Sequence, residues 1–249
     1  MRVWLVTATY NEAGNLPELL RRIDGLPDPP GVCIVDDGSP DGTGRIADDW
    51  AAGREHALVI HRAGKLGYAS AHREGMRAVL DRGADVVVTL DADLSHEPER
   101  IPVMLDALGQ ADVVVGSRYV AGGETRNWSV LRVLLSRVGG GVVTRALTGL
   151  RQADPTSGFR AYRAEMLLRA DPWSTGAEGY GFLVETLFRC SRLKARIAEI
   201  PIVFFDRRAG VSKLSRRIIL ESALLCLRLL FQRFSPAPAS YAGSQQEAP

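Results

Sequence analysis

Val86-Val87-Val88-Thr89-Leu90 runs straight into Asp91-Ala92-Asp93. An uncharged run this rich in β-branched residues reads as a strand buried on both faces. The two carboxylates then stand on the loop beyond its end. Working outward, Val3–Ala8, Val32–Val35, Ala57–His61 and Asp112–Gly116 are further short apolar strands. Between them lie helical patterns over Asn15–Ile23, Thr43–Ala52, Ser70–Arg82 and Glu97–Leu108. Asn15 followed by Glu18 predicts an N-cap with a capping box. Strands alternating with helices imply an α/β, Rossmann-like domain: a mostly parallel central sheet flanked by helices, with right-handed crossovers. Ligands of such sheets bind beyond the carboxyl ends of the strands. The unusual residues collect there: Tyr10 to Glu12, Asp36 to Asp41, Asp91 to Asp93 and Gly116 to Tyr119.

The second half is less regular. Val130–Leu147 has a helical pattern loosened by Gly139-Gly140-Gly141. Gly158–Tyr162 and Ile197–Phe205 read as strands, Phe182–Leu193 as a helix, and Ser215–Phe234 as a strongly apolar helix with arginines at both ends. Residues 1–234 are expected to form a single domain. Residues 235–249 are rich in Pro, Ala, Ser and Gln and are expected to be a disordered tail.

Composition bounds the function. The chain has 249 residues, 46% of them hydrophobic, which suits one mid-sized domain. A formal net charge of +2 supplies no overall basic field, so no nucleic-acid partner is expected. The three cysteines, Cys33, Cys190 and Cys226, are odd in number and match no zinc spacing. They read as small buried apolar residues of a reduced, intracellular protein. No secretory signal is visible, and no apolar run reaches the ~20 residues of a spanning helix. The nearest, Ile218 to Phe231, is interrupted by Glu221 and Arg228.

Asp91 and Asp93 can share one hard divalent cation, Mg²⁺ or Mn²⁺, which would neutralise a leaving diphosphate. The alternative is a solvated acidic turn. Asp36-Asp37-Gly38-Ser39 also ends an apolar strand. One of its carboxylates could hold a ribose hydroxyl or a base edge, or the segment could simply turn the chain.

Thr9-Tyr10-Asn11-Glu12, then Val35 to Thr43, then Asp91-Ala92-Asp93-Leu94-Ser95-His96 together resemble the inverting glycosyltransferase family 2. Gly116-Ser117-Arg118-Tyr119, Asp154 to Arg160, and Asp206-Arg207 through Ser212-Lys213-Leu214 resemble its polyprenol/dolichol-phosphate mannosyltransferases. The motifs stand in family order across roughly residues 3 to 214.

The resemblance implies a GT-A type domain and a set of roles. Thr9, Tyr10, Glu12 and Asp37 would line the nucleotide pocket, with Lys65 and Gly67 near the nucleotide sugar. Asp91, Ala92 and Asp93 would meet the diphosphate, with Asp91, Asp93 and Ser95 as metal ligands. Arg118, Arg207 and Lys213 would bind donor phosphate. Arg132, Ser136 and Arg137 would bind acceptor phosphate. Asp93, Asp154 and Arg118 would be catalytic. Three departures from the family pattern stand out. Ser95 replaces a common Gln, Gly140 a common Asn, and Ala209 a frequent aromatic residue.

A lipid phosphate acceptor is chemically reasonable. The second pKa of a phosphate monoester is near ~6, so at neutral pH its oxygen is already nucleophilic. Such an acceptor needs cations more than a base, and arginine contacts phosphate in planar, bidentate fashion. The expected reaction is inverting transfer of mannose from GDP-mannose to polyprenyl phosphate, giving a β-linked product. UDP-glucose as donor, another family 2 acceptor, and a non-catalytic sugar-nucleotide or lipid-binding protein are the alternatives. A G-x-G-x-x-G turn after the first strand is missing, which argues against a dehydrogenase. His56, His61 and His72 read as structural or surface residues, and His96 as part of a turn or helix start, with contact to the site as the alternative. The helices around 129–148 and 215–234 are expected to face a membrane surface. The protein would then sit peripherally on the cytoplasmic face of a membrane, alone or with a membrane-embedded partner protein.

Overall fold

The computed structural model describes residues 1–206 and 216–241. In chain order the strands are β1 Val3–Thr9, β2 Gly31–Asp36, β3 Ala57–His61, β4 Val86–Thr89, β5 Val113–Ser117, β6 Glu124–Arg126, β7 Arg160–Arg163, β8 Ile197–Pro201 and β9 Val203–Phe205. The helices are α1 Leu16–Asp24, α2 Thr43–Ala51, α3 Tyr68–Asp81, α4 Ile101–Ala107, α5 Val130–Leu135, α6 Thr144–Thr148, α7 Ala164–Ala170, α8 Tyr180–Arg192 and α9 Arg216–Arg233.

The main sheet has the order β3-β2-β1-β4-β7-β5-β8. Every pairing is parallel except those of β7, which runs antiparallel between β4 and β5. Alternation along each strand sends side chains to two cores. Val6, Cys33, Val35, Val87, Val113 and Val115 point into one core, with residues of α3, α7, α8 and α9. Leu5, Val32, Ile34, Val88 and Val114 point into the other, with residues of α1 and α4. On α1 the buried residues Leu16, Leu19, Leu20 and Ile23 recur at helical spacing. Burying each is worth about 2 kcal/mol. The expected α/β sheet is thus the observed one. All three cysteines are free and buried, and burial pushes the Cys33 and Cys190 thiols up to about 12.

Several local expectations need correction. Asn15 does flank α1, but it makes no capping bond: its backbone is already helical (φ −107°, ψ −38°), its N–H donates to the Glu12 carbonyl at 2.9 Å, and its side-chain amide donates to Glu12 Oε2 at 2.8 Å. Glu18 pairs with Arg21 instead. The Ile197–Phe205 strand is broken at Ile202, where the chain leaves β8 for a second sheet in which β9 pairs with β6. Pro201, without an N–H, ends the first segment. Ser235–Tyr241, in the expected disordered tail, is tied down. Arg192 donates to the Ser235 carbonyl, the Tyr241 N–H to the Arg169 carbonyl at 2.9 Å, and the Arg189 guanidinium lies 4.7 Å from the Tyr241 ring. Residues 242–249 lie outside the described residues.

The glycine-loosened helix is α5, then a π-helical segment over Ser136–Val143, then α6. Three glycines weaken the α-helical ladder, and the Thr144 hydroxyl takes the Gly139 carbonyl at 3.1 Å. At Gly139 a Cβ would meet nothing within 4 Å. Gly139→Ala is therefore expected to raise Tm by about 2–3 °C, from a helix preference of ~1 kcal/mol. A fall in Tm by calorimetry would show that the π turn needs glycine's freedom. At Gly140 a Cβ would come within 3.3 Å of Thr156, so alanine there presses on the neighbouring loop.

Candidate active site

The carboxyl ends of β1, β2, β4 and β5 and the start of β7 meet at one end of the sheet. The Asp91–Ser95 loop leaves β4 there. Asp93 is 4% exposed and its Oδ1 accepts the Ser95 N–H at 3.1 Å. Asp91 is more open, its side chain 25% exposed. The Tyr68 hydroxyl donates to Asp91 Oδ1 at 3.2 Å, and His96 Nε2 lies 3.6 Å from Oδ2. Ser95 Oγ is buried and has no hydrogen-bond partner among the described residues. These oxygen donors, two of them carboxylates, suit a hard cation such as Mg²⁺ or Mn²⁺. Among the described residues no group of three or more His, Cys, Asp and Glu forms a metal cluster.

His96 takes the alternative that its sequence position leaves open and stands beside Asp91. It is 1% exposed, with ring centroids 5.4 Å from Phe159 and 4.9 Å from Phe204. Phe204 also stands 5.2 Å from the Arg118 guanidinium, so one aromatic residue joins the acidic loop to the arginine side.

Arg118 follows β5. Its Nε and one Nη each donate to Asp154 at 2.6 Å, and its backbone N–H donates to the same carboxylate at 3.1 Å. The second acceptor of that Nη is Thr156 Oγ1 at 3.0 Å. Burial pushes the Asp154 carboxyl up. The Arg118 charge and hydrogen bonds outweigh it, and the net shift is below the usual value. Asp154, expected near the reacting centre, is taken up by Arg118 in this arrangement. The residue is 0% exposed and acts on Arg118, which it orients. Its loop is gripped from both sides. Glu199 accepts the Ala153 and Asp154 N–H groups at 2.7 and 3.0 Å, while buried Arg160 donates to the Pro155 and Ser157 carbonyls at 2.6 and 2.8 Å.

Arg118, Tyr119, Val133 and Arg137 line an open cleft of about 530 Å³. Arg137 is exposed on it and makes no hydrogen bond or ion pair with the described residues. Tyr119 donates to Ser136 Oγ at 2.6 Å, which ties the cleft to the π segment. Arg132 is differently committed. One of its Nη atoms donates to both oxygens of Asp206 at 2.8 and 2.9 Å, and its guanidinium lies 4.1 Å from the Trp128 ring centroid.

On the β1–β2 side, Lys65 Nζ lies 4.1 Å over the Tyr10 ring. Glu12 is half-buried beside Asn15. The Thr9 hydroxyl, expected to meet nucleotide, is instead buried and donates to Asp36 at 2.9 Å. Asp37 is 5% exposed and accepts from Arg62 at 2.7 Å, the Leu66 N–H at 3.0 Å and the Gly67 N–H at 2.8 Å. Its visible work is to hold the Lys65–Gly67 loop against the sheet. Ala92 is buried between the two loop carboxylates. Arg207 and Lys213 lie outside the described residues. Sequence reasoning missed Tyr68, Arg62 and Glu199. Tyr68 directly follows the noted Lys65-Leu66-Gly67, whereas Arg62 and Glu199 carry no local signal.

The profile of the family described as Glycosyl transferase family 2 matches residues 4–169. The chain is 44% identical over 225 residues to an undecaprenyl-phosphate mannosyltransferase of Micrococcus luteus, covering 90% of this chain and 92% of the relative. It is 40% identical over 223 residues to a polyprenol monophosphomannose synthase of Mycolicibacterium smegmatis, covering 89% and 84%. Among solved structures it resembles glucosyl-3-phosphoglycerate synthase of Mycobacterium tuberculosis in complex with Mn²⁺, UDP and phosphoglyceric acid. The TM-score is 0.64 at 22% identity, covering 90% of this chain and 78% of the other.

Proposed function

The chain belongs to glycosyltransferase family 2, and on that premise we propose that it transfers mannose from GDP-mannose to polyprenyl phosphate. The observation that carries the reading is one continuous line of contacts. Asp91 touches Tyr68 and nears His96, His96 packs on Phe204, Phe204 on Arg118, and Arg118 lines the open cleft. The acidic loop and the arginine side of the cleft are therefore linked through two packed side chains, His96 and Phe204.

A bound Mg²⁺ or Mn²⁺ would supply charge neutralisation of the leaving diphosphate. Asp91, Asp93 and Ser95 Oγ are the residues that would hold it. Arg118, fixed by Asp154, and Arg137 on the open cleft bring the acceptor phosphate towards the donor against its negative charge. The phosphate oxygen attacks the anomeric carbon from the face opposite the diphosphate. The C–O bond to diphosphate breaks as the new one forms, and an α-linked donor yields a β-linked product.

The lipid tail needs an apolar surface. On α5, Val130, Leu131, Leu134 and Leu135 are 56–85% exposed. On α9, Leu224 and Leu227 are exposed, as are Phe231 and, just beyond the helix, Phe234, while Leu225 and Leu229 are buried. No helix among the described residues is long and apolar enough to cross a membrane. These faces suit peripheral seating at a cytoplasmic membrane surface, alone or beside a membrane-embedded partner.

The test is transfer of labelled sugar to polyprenyl phosphate in vesicles, with protein sedimentation measured alongside. GDP-mannose and UDP-glucose are offered separately, with Mg²⁺ or Mn²⁺ present or chelated. Metal-dependent product from GDP-mannose alone, β-linked by NMR, is expected from vesicle-bound protein. Product from UDP-glucose alone would overturn the sugar, an α-linked product the single displacement, and full activity without vesicle binding the membrane seating.

A further inference from the structure

Asp91 accepts a hydrogen bond from Tyr68 on one oxygen and has the His96 ring near the other. The Tyr68 hydroxyl addresses Oδ1 at 3.2 Å, and His96 Nε2 stands 3.6 Å from Oδ2. Tyr68 opens α3, and its ring lies 4.1 Å from that of buried His72, whose Nδ1 is 3.0 Å from the Tyr68 carbonyl. The phenol is therefore anchored at its base as well as at its tip.

The chain also leaves room for this contact at Gly158. A Cβ there would fall 2.8 Å from the Tyr68 hydroxyl oxygen and 3.2 Å from Asp91 Oδ1. Gly158 has no positive φ, so its backbone does not demand glycine. The steric demand comes from the tyrosine–aspartate pair itself. The Gly158 carbonyl is fixed at the same point by the Thr89 hydroxyl, 2.6 Å away.

We propose that Tyr68 is a positioning residue for the divalent cation, holding the Asp91 carboxylate in the orientation in which it binds the ion. The inference rests on the metal-dependent reading given above. A carboxylate has about four lone-pair sites and rotates freely when exposed. A donor fixed on one oxygen limits that rotation and directs the remaining lone pairs. Groups that orient metal ligands in this way change affinity about 10–100-fold when removed.

The test is direct Mn²⁺ binding, by electron paramagnetic resonance of free Mn²⁺ with GDP present, on the full chain. Wild type is expected to bind, and Asp93→Asn to lose binding. Tyr68→Phe keeps the ring and its contact with His72 but removes the hydroxyl. It is expected to weaken Mn²⁺ binding about tenfold, with Tm in the absence of metal within ~1 °C of wild type. Gly158→Ala, which displaces the hydroxyl from the other side, is expected to weaken binding in the same direction. Unchanged Mn²⁺ affinity in Tyr68→Phe would overturn the positioning role while leaving the metal reading intact. Wild type that fails to bind Mn²⁺ with GDP would overturn the metal reading itself. A lowered Tm with unchanged affinity would make Tyr68 a packing residue only.

Discussion

Asp93→Asn is expected to lower kcat for mannose transfer at least about a thousandfold while leaving the fold standing. The side chain is nearly buried, and one of its contacts is the Ser95 N–H, which it accepts. An asparagine carbonyl oxygen can take over that bond. What asparagine cannot supply is the negative charge that holds a divalent ion against a diphosphate. A thousandfold loss corresponds to about 4 kcal/mol of transition-state stabilisation, within reach of removing one charged ligand of a hard cation. Labelled-mannose transfer at saturating donor, beside an unchanged near-ultraviolet circular dichroism spectrum, is the check. Retention of more than a tenth of wild-type kcat would remove Asp93 from the catalytic machinery.

The second large effect falls on stability. Asp154→Asn leaves the Arg118 guanidinium, 7% exposed, without its carboxylate. Breaking a buried pair from one side costs about 3–5 kcal/mol, or roughly 10 °C of Tm for a chain this size. The double replacement Arg118→Met with Asp154→Leu is expected to recover part of that loss, because no charge is then stranded. The folded Asp154 carboxyl is held below its usual value. Its contribution to stability is thus fully present above about pH 4 and is lost as pH falls through the folded value. Thermal melts from pH 7 down to pH 2 should show that acid-dependent component in wild type and not in Asp154→Asn. Parallel acid curves for the two proteins would mean that the pair contributes no linkage.

The placement of the site was legible because it follows from strand periodicity. The β-branched run Val86 to Thr89 fixes a buried strand, and whatever follows it must emerge at the carboxyl end. The same reasoning located Tyr10, Asp37 and Arg118. What each carboxylate does there was not legible, because it depends on partners far along the chain. Asp154 and Arg118 satisfy each other across a loop, and Asp37 is engaged by Arg62 and by backbone N–H groups of Leu66 and Gly67. No local pattern distinguishes a carboxylate awaiting a ligand from one already satisfied by its own chain. The capping-box expectation at Asn15 failed for the same reason, since the Glu12 carbonyl already accepts the Asn15 N–H that Glu18 would need. The break into a π segment was legible only as three glycines, whose effect depends on what the rest of the helix packs against.

The antiparallel strand β7 has a consequence for synthesis. β4 finds β1 early, but its other edge stays unpaired until residues 160–163 leave the ribosome. β5 likewise waits for β7 on one side and for β8, still later, on the other. During that interval Val86, Val87 and Val88 present an open, apolar sheet edge, the kind of surface that recruits other nascent chains. The donor half of the molecule is thus translated first but completed only when β7 arrives. A chain cut short before β7 carries the whole acidic loop on an edge that nothing covers.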